Sequence, residues 1–269
     1  MPAHENTKPI QVVERMMTIL DLIAQNREPM SLHMIAQAAN LHPSTVHRLL
    51  WNLADYGYLT RNSNGSWKLG LRFLEYGCLV RDRLVIGEVA LPIMQELYKI
   101  TGQTINLAVR HDDNMIYIEH VYSPQRGARL ARQIGALAPL HCTSGGKLFL
   151  CDCSPEEVRS YINRTQLAAR TQFSISSPEK LILELNRVKE LGWAEDNEEL
   201  EYGIHCIGAA IRDKDGRAIA SITVASANGM GKKPVWVLEL SKAAQEISAK
   251  IAGMKRPLRA LSAETDSRV

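Results

Sequence analysis

The residues best suited to chemistry fall in two stretches. The first is His141-Cys142-Thr143-Ser144-Gly145-Gly146-Lys147, where small residues lead into the apolar run Leu148-Phe149-Leu150. Such a pattern places backbone N–H groups without intrahelical partners at a helix start. Amides of this kind hold a carboxylate or phosphate without any charged side chain. The stretch is not a nucleotide-binding P-loop: the spacing before Gly146-Lys147 is wrong, and Leu148 stands where Ser or Thr would hold magnesium. Close helix packing, which also demands small residues, is the competing explanation. The second stretch carries Asp196, Glu198, Glu199 and Glu201, followed by His205-Cys206. An acidic run usually reads as a solvated loop, although Asp196 could instead hydrogen-bond a ligand hydroxyl or close the loop. His205 and Cys206 are neighbours in a strand pattern and face opposite sides.

Cys142, Cys151, Cys153 and Cys206 raise the question of a metal site or a thiol nucleophile. Their spacing matches no zinc motif, and Cys151 and Cys153, two apart on a helix, diverge. Neither a metal nor a cofactor is expected. A rival enzyme reading makes Cys206 or Cys142 the nucleophile of a small-molecule hydrolase or transferase with an accessory DNA-binding domain. It needs a His within reach of the thiol, and His205 points away. The chain is therefore read as a non-enzyme.

Three short helical patterns precede these stretches. Val12, Met16, Ile19, Leu20 and Ile23 recur at helical spacing, and Leu32, Ile35, Ala36 and Ala39 form a second stripe that Ser31 can cap. His42-Pro43-Ser44 starts a third helix with Val46, Leu49, Leu50 and Leu53 on one face. Ala36, Asn40 and Val46 supply a small residue at a helix crossing, a left-handed turn and an apolar return, which is the helix-turn-helix pattern. Burying the Leu face turns Ser44, Arg48 and Trp51 outward, with Thr45, His47 and Asn52 on the flanks. Hydroxyls, Arg and His on an exposed helix start suit phosphate and base-edge contacts in a major groove. Tyr58 to Arg61 and Trp67 to Leu69 read as strands around the turn Asn62-Ser63-Asn64-Gly65, a wing with Arg61, Asn64 and Lys68 near its tip. A small domain used for protein contacts is the competing reading of this unit.

The rest reads as mixed helices and strands. Leu71 to about Arg83 is a bridging helix, and Pro92 to Thr101 a helix stopped by Gly102. Thr104 to Val109 and Met115 to Val121 form a hairpin, with a possible third strand at Arg129 to Gln133. Ser154-Pro155 and Ser177-Pro178 start helices. Ile204 to Ile211 and Ala218 to Ala225 form another strand pair before a last helix from Val235 to Ile251. The fold class is α+β, with a largely antiparallel sheet. The chain has 269 residues, 45% hydrophobic and 23% charged, which argues for two domains and against disorder. A net charge of +3 permits nucleic-acid binding without requiring it. The longest uncharged stretch, Pro29 to His47, is too polar for a bilayer span. The first residues lack a basic start and apolar core, and five Cys are too few for a disulfide framework. A cytoplasmic protein with no membrane partner is expected.

In the recognition helix (Ser44 to Leu50), the His141 to Lys147 segment, and the run from Asp196 through Glu198-Glu199 to Gly203-Ile204-His205-Cys206-Ile207, with Asp215-Gly216 after it, the chain resembles the isocitrate lyase regulator (IclR) family of bacterial transcription factors. The resemblance spans roughly Val12 to Ile251. It implies a winged helix-turn-helix domain over 1–70, a linker helix over 71–85, a GAF-like mixed α/β effector domain over 86–255 and a tail over 256–269. It implies double-stranded operator DNA and a small organic acid as partners, and a homodimer or homotetramer. Carried over by position, the effector would meet the amides of Ser144 and Gly145, the Asp196 carboxylate and Cys206. Leu130, Ala138 and Ile204 would form an apolar wall, with Thr223 and Ala225 on the last strand. Two departures stand out. Asn40 replaces the usual turn Gly, and Ala225 replaces a hydroxyl that touches ligand in some members, which favours a larger or partly apolar acid. Arg126, Arg129 and Arg132 near the edge could serve an acid group or simply lie on the surface.

Overall fold

A computed structural model of the chain describes residues 10–122, 132–227, 229 and 231–254. They form two units that divide between Arg83 and Leu84. In the first, α1 (Gln11–Gln25) buries Ile19 and Ile23, and α2 (Leu32–Ala38) is capped by Ser31, whose hydroxyl accepts from the Met34 N–H. Asn40 takes the left-handed conformation, with φ of 51°, and the Leu41 N–H closes the turn on the Ala36 carbonyl. Then α3 (Pro43–Asp55) buries Val46, Leu49, Leu50 and Leu53. The wing consists of β1 (Leu59–Arg61) and β2 (Trp67–Leu69), with Met30 bridging to Trp67. Its base needs glycine at position 70, because a Cβ there would collide with the Gly57 carbonyl oxygen. The helix α4 (Arg72–Asp82) follows and buries none of its residues. It is tied to the wing base through the Tyr58 and Phe73 rings, whose centroids are 5.4 Å apart.

The second unit is built on a six-stranded antiparallel sheet of order β5-β4-β3-β8-β7-β6. Its strands are β3 (Thr104–His111), β4 (Asn114–Val121), β5 (Leu137–Pro139), β6 (Trp193–Asn197), β7 (His205–Arg212) and β8 (Ala218–Ser226). The two faces differ in chemistry because side chains alternate along each strand. Ile105, Leu107, Ile207, Ile211, Ile222 and Val224 point to one face and pack under α5 (Val85–Thr101) and α9 (Lys233–Ala252). The opposite face carries small and polar residues, and α6 (Ser144–Cys151) packs there with α7 (Pro155–Thr165) and α8 (Pro178–Leu191).

Three sequence expectations change. The helix predicted to begin at Pro92 begins at Val85 and runs through that proline. Ile86, Ala90, Ile93, Met94 and Leu97 keep one buried stripe across it, and that burial outweighs the missing proline N–H. The strand that pairs with β4 is Leu137–Pro139; Arg132 and Gln133 lie outside any strand, and Arg129 falls outside the described residues. The acidic run is not a solvated loop throughout, since Asp196 lies on β6 and both Asp196 and Glu199 are buried.

Candidate nucleic-acid interface and effector site

The start of α3 is assembled locally. Pro43 sits in the first turn and His42 caps the helix, its Nδ1 accepting from the Ser44 N–H at 3.3 Å and lying 2.8 Å from the Ser44 hydroxyl. Ser44, His47, Arg48, Trp51 and Asn52 are exposed and Thr45 is half-buried. The Asn52 side-chain amide donates back to the Arg48 carbonyl at 2.7 Å. The Trp51 indole N–H donates to His47 Nε2 at 3.0 Å, and the Trp51 ring meets Trp67 of the wing edge-on, with centroids 5.4 Å apart. Arg61 lies over both indoles, its guanidinium carbon 5.5 Å from Trp51 and 5.7 Å from Trp67. Arg61 pairs with Trp67 across the wing and shares its face, which turns the neighbouring Lys68 to the opposite face. The two basic residues expected near one wing tip therefore do not share a face.

In the second unit, strand register brings the acid-binding candidates into rows. Asp196 pairs with Cys206, Cys206 with Ala225, and Ala225 with Thr104. The next row on that face joins Gly208, Thr223, Asn106 and His120. Ile204, Cys206 and Ala225 form their own small apolar cluster. The α6 N-terminus sits directly on these rows. A Cβ on Gly208 would stand 3.2 Å from Ser144, and one on Gly145 would strike Ser221 and the Met115 sulfur. Met115 in turn pairs with Ala138 on β5. Thr143 caps the helix, accepting from the Gly146 N–H at 3.1 Å and donating to the Pro139 carbonyl. Close packing thus does require small residues here, and it leaves the Ser144 and Gly145 amides with no acceptor among the described residues.

Electrostatics at this face are set by burial. Asp196 is 2% exposed, and its Oδ1 accepts from the Glu199 N–H at 2.8 Å and the Leu200 N–H at 3.3 Å. Burial, and then the charge of Glu199, push its carboxyl up to about 7. The buried Lys147 ammonium is already committed, to Glu199 at 2.6 Å, Glu184 at 3.1 Å and the Glu195 carbonyl at 2.6 Å. Burial raises the Tyr117 phenol, which lies on the same face through its pairing with Ala108. Arg132 donates to Glu201 at 2.9 Å, and its backbone carbonyl contacts the His120 ring.

The IclR helix-turn-helix domain model matches residues 12–63, and the model for the C-terminal part of bacterial IclR transcriptional regulators matches residues 78–249. The chain belongs to the IclR family. It is 30% identical over 244 residues to the HTH-type transcriptional regulator KipR of Bacillus subtilis, covering 90% of this chain and 97% of that one. The crystal structure of Thermotoga maritima IclR matches with a TM-score of 0.70 at 27% identity, covering 90% of this chain and 99% of that chain. An IclR homologue from Microbacterium hydrocarbonoxydans, solved in complex with 4-hydroxybenzoate, matches in fold with a TM-score of 0.78 at 23% identity, covering 90% and 100%.

As an IclR-family member, this protein is a transcriptional regulator with a DNA-binding helix-turn-helix domain and a C-terminal effector-binding domain. Its relatives are named as regulators, and the enzyme alternative finds no support among them. The thiol chemistry points the same way. Burial raises Cys206 well above the ordinary range and Cys142 to about 12, so neither is a ready thiolate. The His205 ring bonds Asn197 at 2.7 Å, and the His141 ring contacts Tyr161 and the Ala168 carbonyl. Among the described residues no group of three His, Cys, Asp or Glu side chains is placed to hold a metal, and no helix is long and apolar enough to cross a membrane.

Of the effector residues expected in this IclR chain, the rows collect Asp196, Cys206, Ala225 and Thr223, with Ile204 beside them and Ser144, Gly145 and Ala138 around the α6 start. Leu130, Arg126 and Arg129 lie outside the described residues. Arg132 is not a loose surface residue but half-buried in its pair with Glu201. Tyr117, Asn106, Glu199 and the buried role of Lys147 were not anticipated. Alternation along Met115 to Val121 could have flagged Tyr117, which sits two residues from Met115.

Proposed function

We propose that this regulator takes a small organic acid, aromatic acids included, against the Asp196–Cys206–Ala225 row beneath the α6 N-terminus. The observation that carries this reading is the convergence of two amides, Ser144 and Gly145, that have no acceptor among the described residues, on a face where the small and apolar Cys206, Ala225 and Ile204 lie beside Asp196. The effector carboxylate accepts from those amides. Its body rests on Ile204, Cys206, Ala225 and Ala138, with Thr223 in the next row. Asp196, its carboxyl pushed up to about 7 by burial, donates to the ligand when protonated instead of repelling its charge. The 4-hydroxybenzoate in the Microbacterium relative is an acid of this kind and supports the class.

At the other end, Thr45, His47 and Arg48 read base edges, while Ser44, Trp51, Asn52, Arg61 and Lys68 position the helix and wing on the DNA backbone. The span 71–85 links the DNA-binding domain, 1–70, to the effector domain, 86–255. The protein works as a cytoplasmic homodimer or homotetramer, and acid binding re-places the two DNA-binding domains with a coupling of about 1–3 kcal/mol.

The test starts from a randomised duplex pool selected on the full chain. The affinity of the winning duplex is then measured with keto, hydroxy and aromatic monocarboxylic acids in turn. At least one acid changes that affinity in the wild type and not in Asp196→Ala; an affinity unmoved by every acid contradicts the reading.

A further inference from the structure

On the recognition helix, one side chain has its hydrogen-bonding sense set by a neighbour. An indole N–H only donates, so His47 Nε2, 3.0 Å from Trp51 Nε1, must present a lone pair. In the neutral ring the proton then resides on Nδ1. A solvent-exposed neutral histidine side chain carries its proton mainly on Nε2, so this arrangement reverses the ordinary preference. His47 Nδ1 has no partner among the described residues, and the side chain is exposed.

The indole is itself held from two further sides. Trp67 meets it edge-on at 5.4 Å with the rings at 90°, and the Arg61 guanidinium lies 5.5 Å from its centre. Its ring plane, and with it the direction of the N–H, is thus fixed by the wing as well as by α3. The His47 ring completes the stack, tilted 62° against Trp51 at 6.2 Å.

We infer that His47 reads DNA as a fixed N–H donor and that Trp51 is the positioning residue that sets this tautomer. This rests on the reading that His47 faces base edges. In the major groove a single donor is met by guanine N7 or O6, adenine N7 or thymine O4, and is opposed by the cytosine amino group. The base opposite His47 is therefore one that offers an acceptor, guanine or thymine first, and cytosine is rejected.

The test uses the full chain with 15N-labelled histidine, followed by selection from a randomised duplex pool. In the wild type, the His47 nitrogens show a protonated Nδ1 and a bare Nε2. Trp51→Phe keeps the ring but removes the N–H, and the proton returns mainly to Nε2. The same variant, selected on the pool, loses preference at one base pair by about fivefold or more and keeps the wild-type preference at the others. A wild-type proton on Nε2 overturns the inference without needing any variant to fold. A wild-type Nδ1 proton with a Trp51→Phe selection profile identical to wild type overturns the readout. If His47→Ala selects the same sequences as wild type, the underlying placement of His47 at base edges fails, and that result is distinct from a failure of the tautomer.

Discussion

Asp196 stands directly across the β6–β7 pairing from Cys206, and its Oδ1 anchors the turn beyond β6 by accepting from the backbone N–H of Glu199. One side chain thus both borders the proposed effector face and holds the loop that leads to β7. The nearby Lys147 ammonium makes its direct ion pairs with Glu184 and Glu199, and burial outweighs the pull of its charge on Asp196. The consequences can be measured in the absence of any ligand.

The first concerns pH. The folded Asp196 carboxyl lies at about 7, raised by burial and then by Glu199, whereas an unfolded Asp titrates near 3.9. A group raised on folding contributes stability that is fully present below its unfolded pKa and lost as pH rises through the folded value. Asp196→Asn cannot ionise, so its advantage over wild type grows between about pH 4 and 7 and then levels off. The expected gain at pH 8 is on the order of 2–4 kcal/mol, read by urea unfolding at pH 4.5 and 8. Equal curves at both pH values would show that the carboxyl titrates normally.

Lys147 gives the second. Its ammonium is 1% exposed and holds two carboxylates and a carbonyl. Lys147→Met strands Glu199 in the interior and should cost about 3–5 kcal/mol. Adding Glu199→Gln should restore part of that loss. A wild-type melting temperature for the single variant would mean the cluster is not a structural element.

Gly70 tests the wing. A Cβ at that position would collide with the Gly57 carbonyl oxygen, a backbone atom that cannot rotate away, so Gly70→Ala should destabilise by about 3 kcal/mol. Circular dichroism melting gives the number, and duplex binding should weaken in parallel.

The residues proposed to face DNA separate by salt and by sequence. Arg48→Ala should lose roughly 1–3 kcal/mol of discrimination between selected and unselected duplex, while Lys68→Ala should weaken both alike and lower the salt slope by about one. Identical behaviour of the two variants would remove the division between base reading and phosphate contact.

What could be read in advance follows the range of the interactions. The helix-turn-helix was legible because Ala36, Asn40 and Val46 act within a dozen residues, and a left-handed Asn needs only its own turn. The amides of Ser144 and Gly145 were legible for the same reason, since a cap is local. The burial of Asp196 was not. It depends on β6 pairing with β7 and on Lys147, far away in sequence, neutralising Glu199. The Trp51–Trp67–Arg61 stack was not legible, because nothing local to α3 shows that the wing folds back over one of its outward positions. Thr223 and Ala225 came from resemblance alone, and strand register then set Ala225 beside Cys206 and Thr223 beside Gly208.

The most direct test of the central claim is thermal unfolding of the full chain against a panel of keto, hydroxy and aromatic carboxylic acids, with wild type, Asp196→Ala and Arg48→Ala side by side. A bound acid at a hundred times its dissociation constant adds about 2.7 kcal/mol, a shift of a few degrees for a domain of this size. The account predicts one or more stabilising acids, with the shift abolished in Asp196→Ala and intact in Arg48→Ala. Stabilisation that survives in Asp196→Ala, or no stabilisation by any acid, would contradict it.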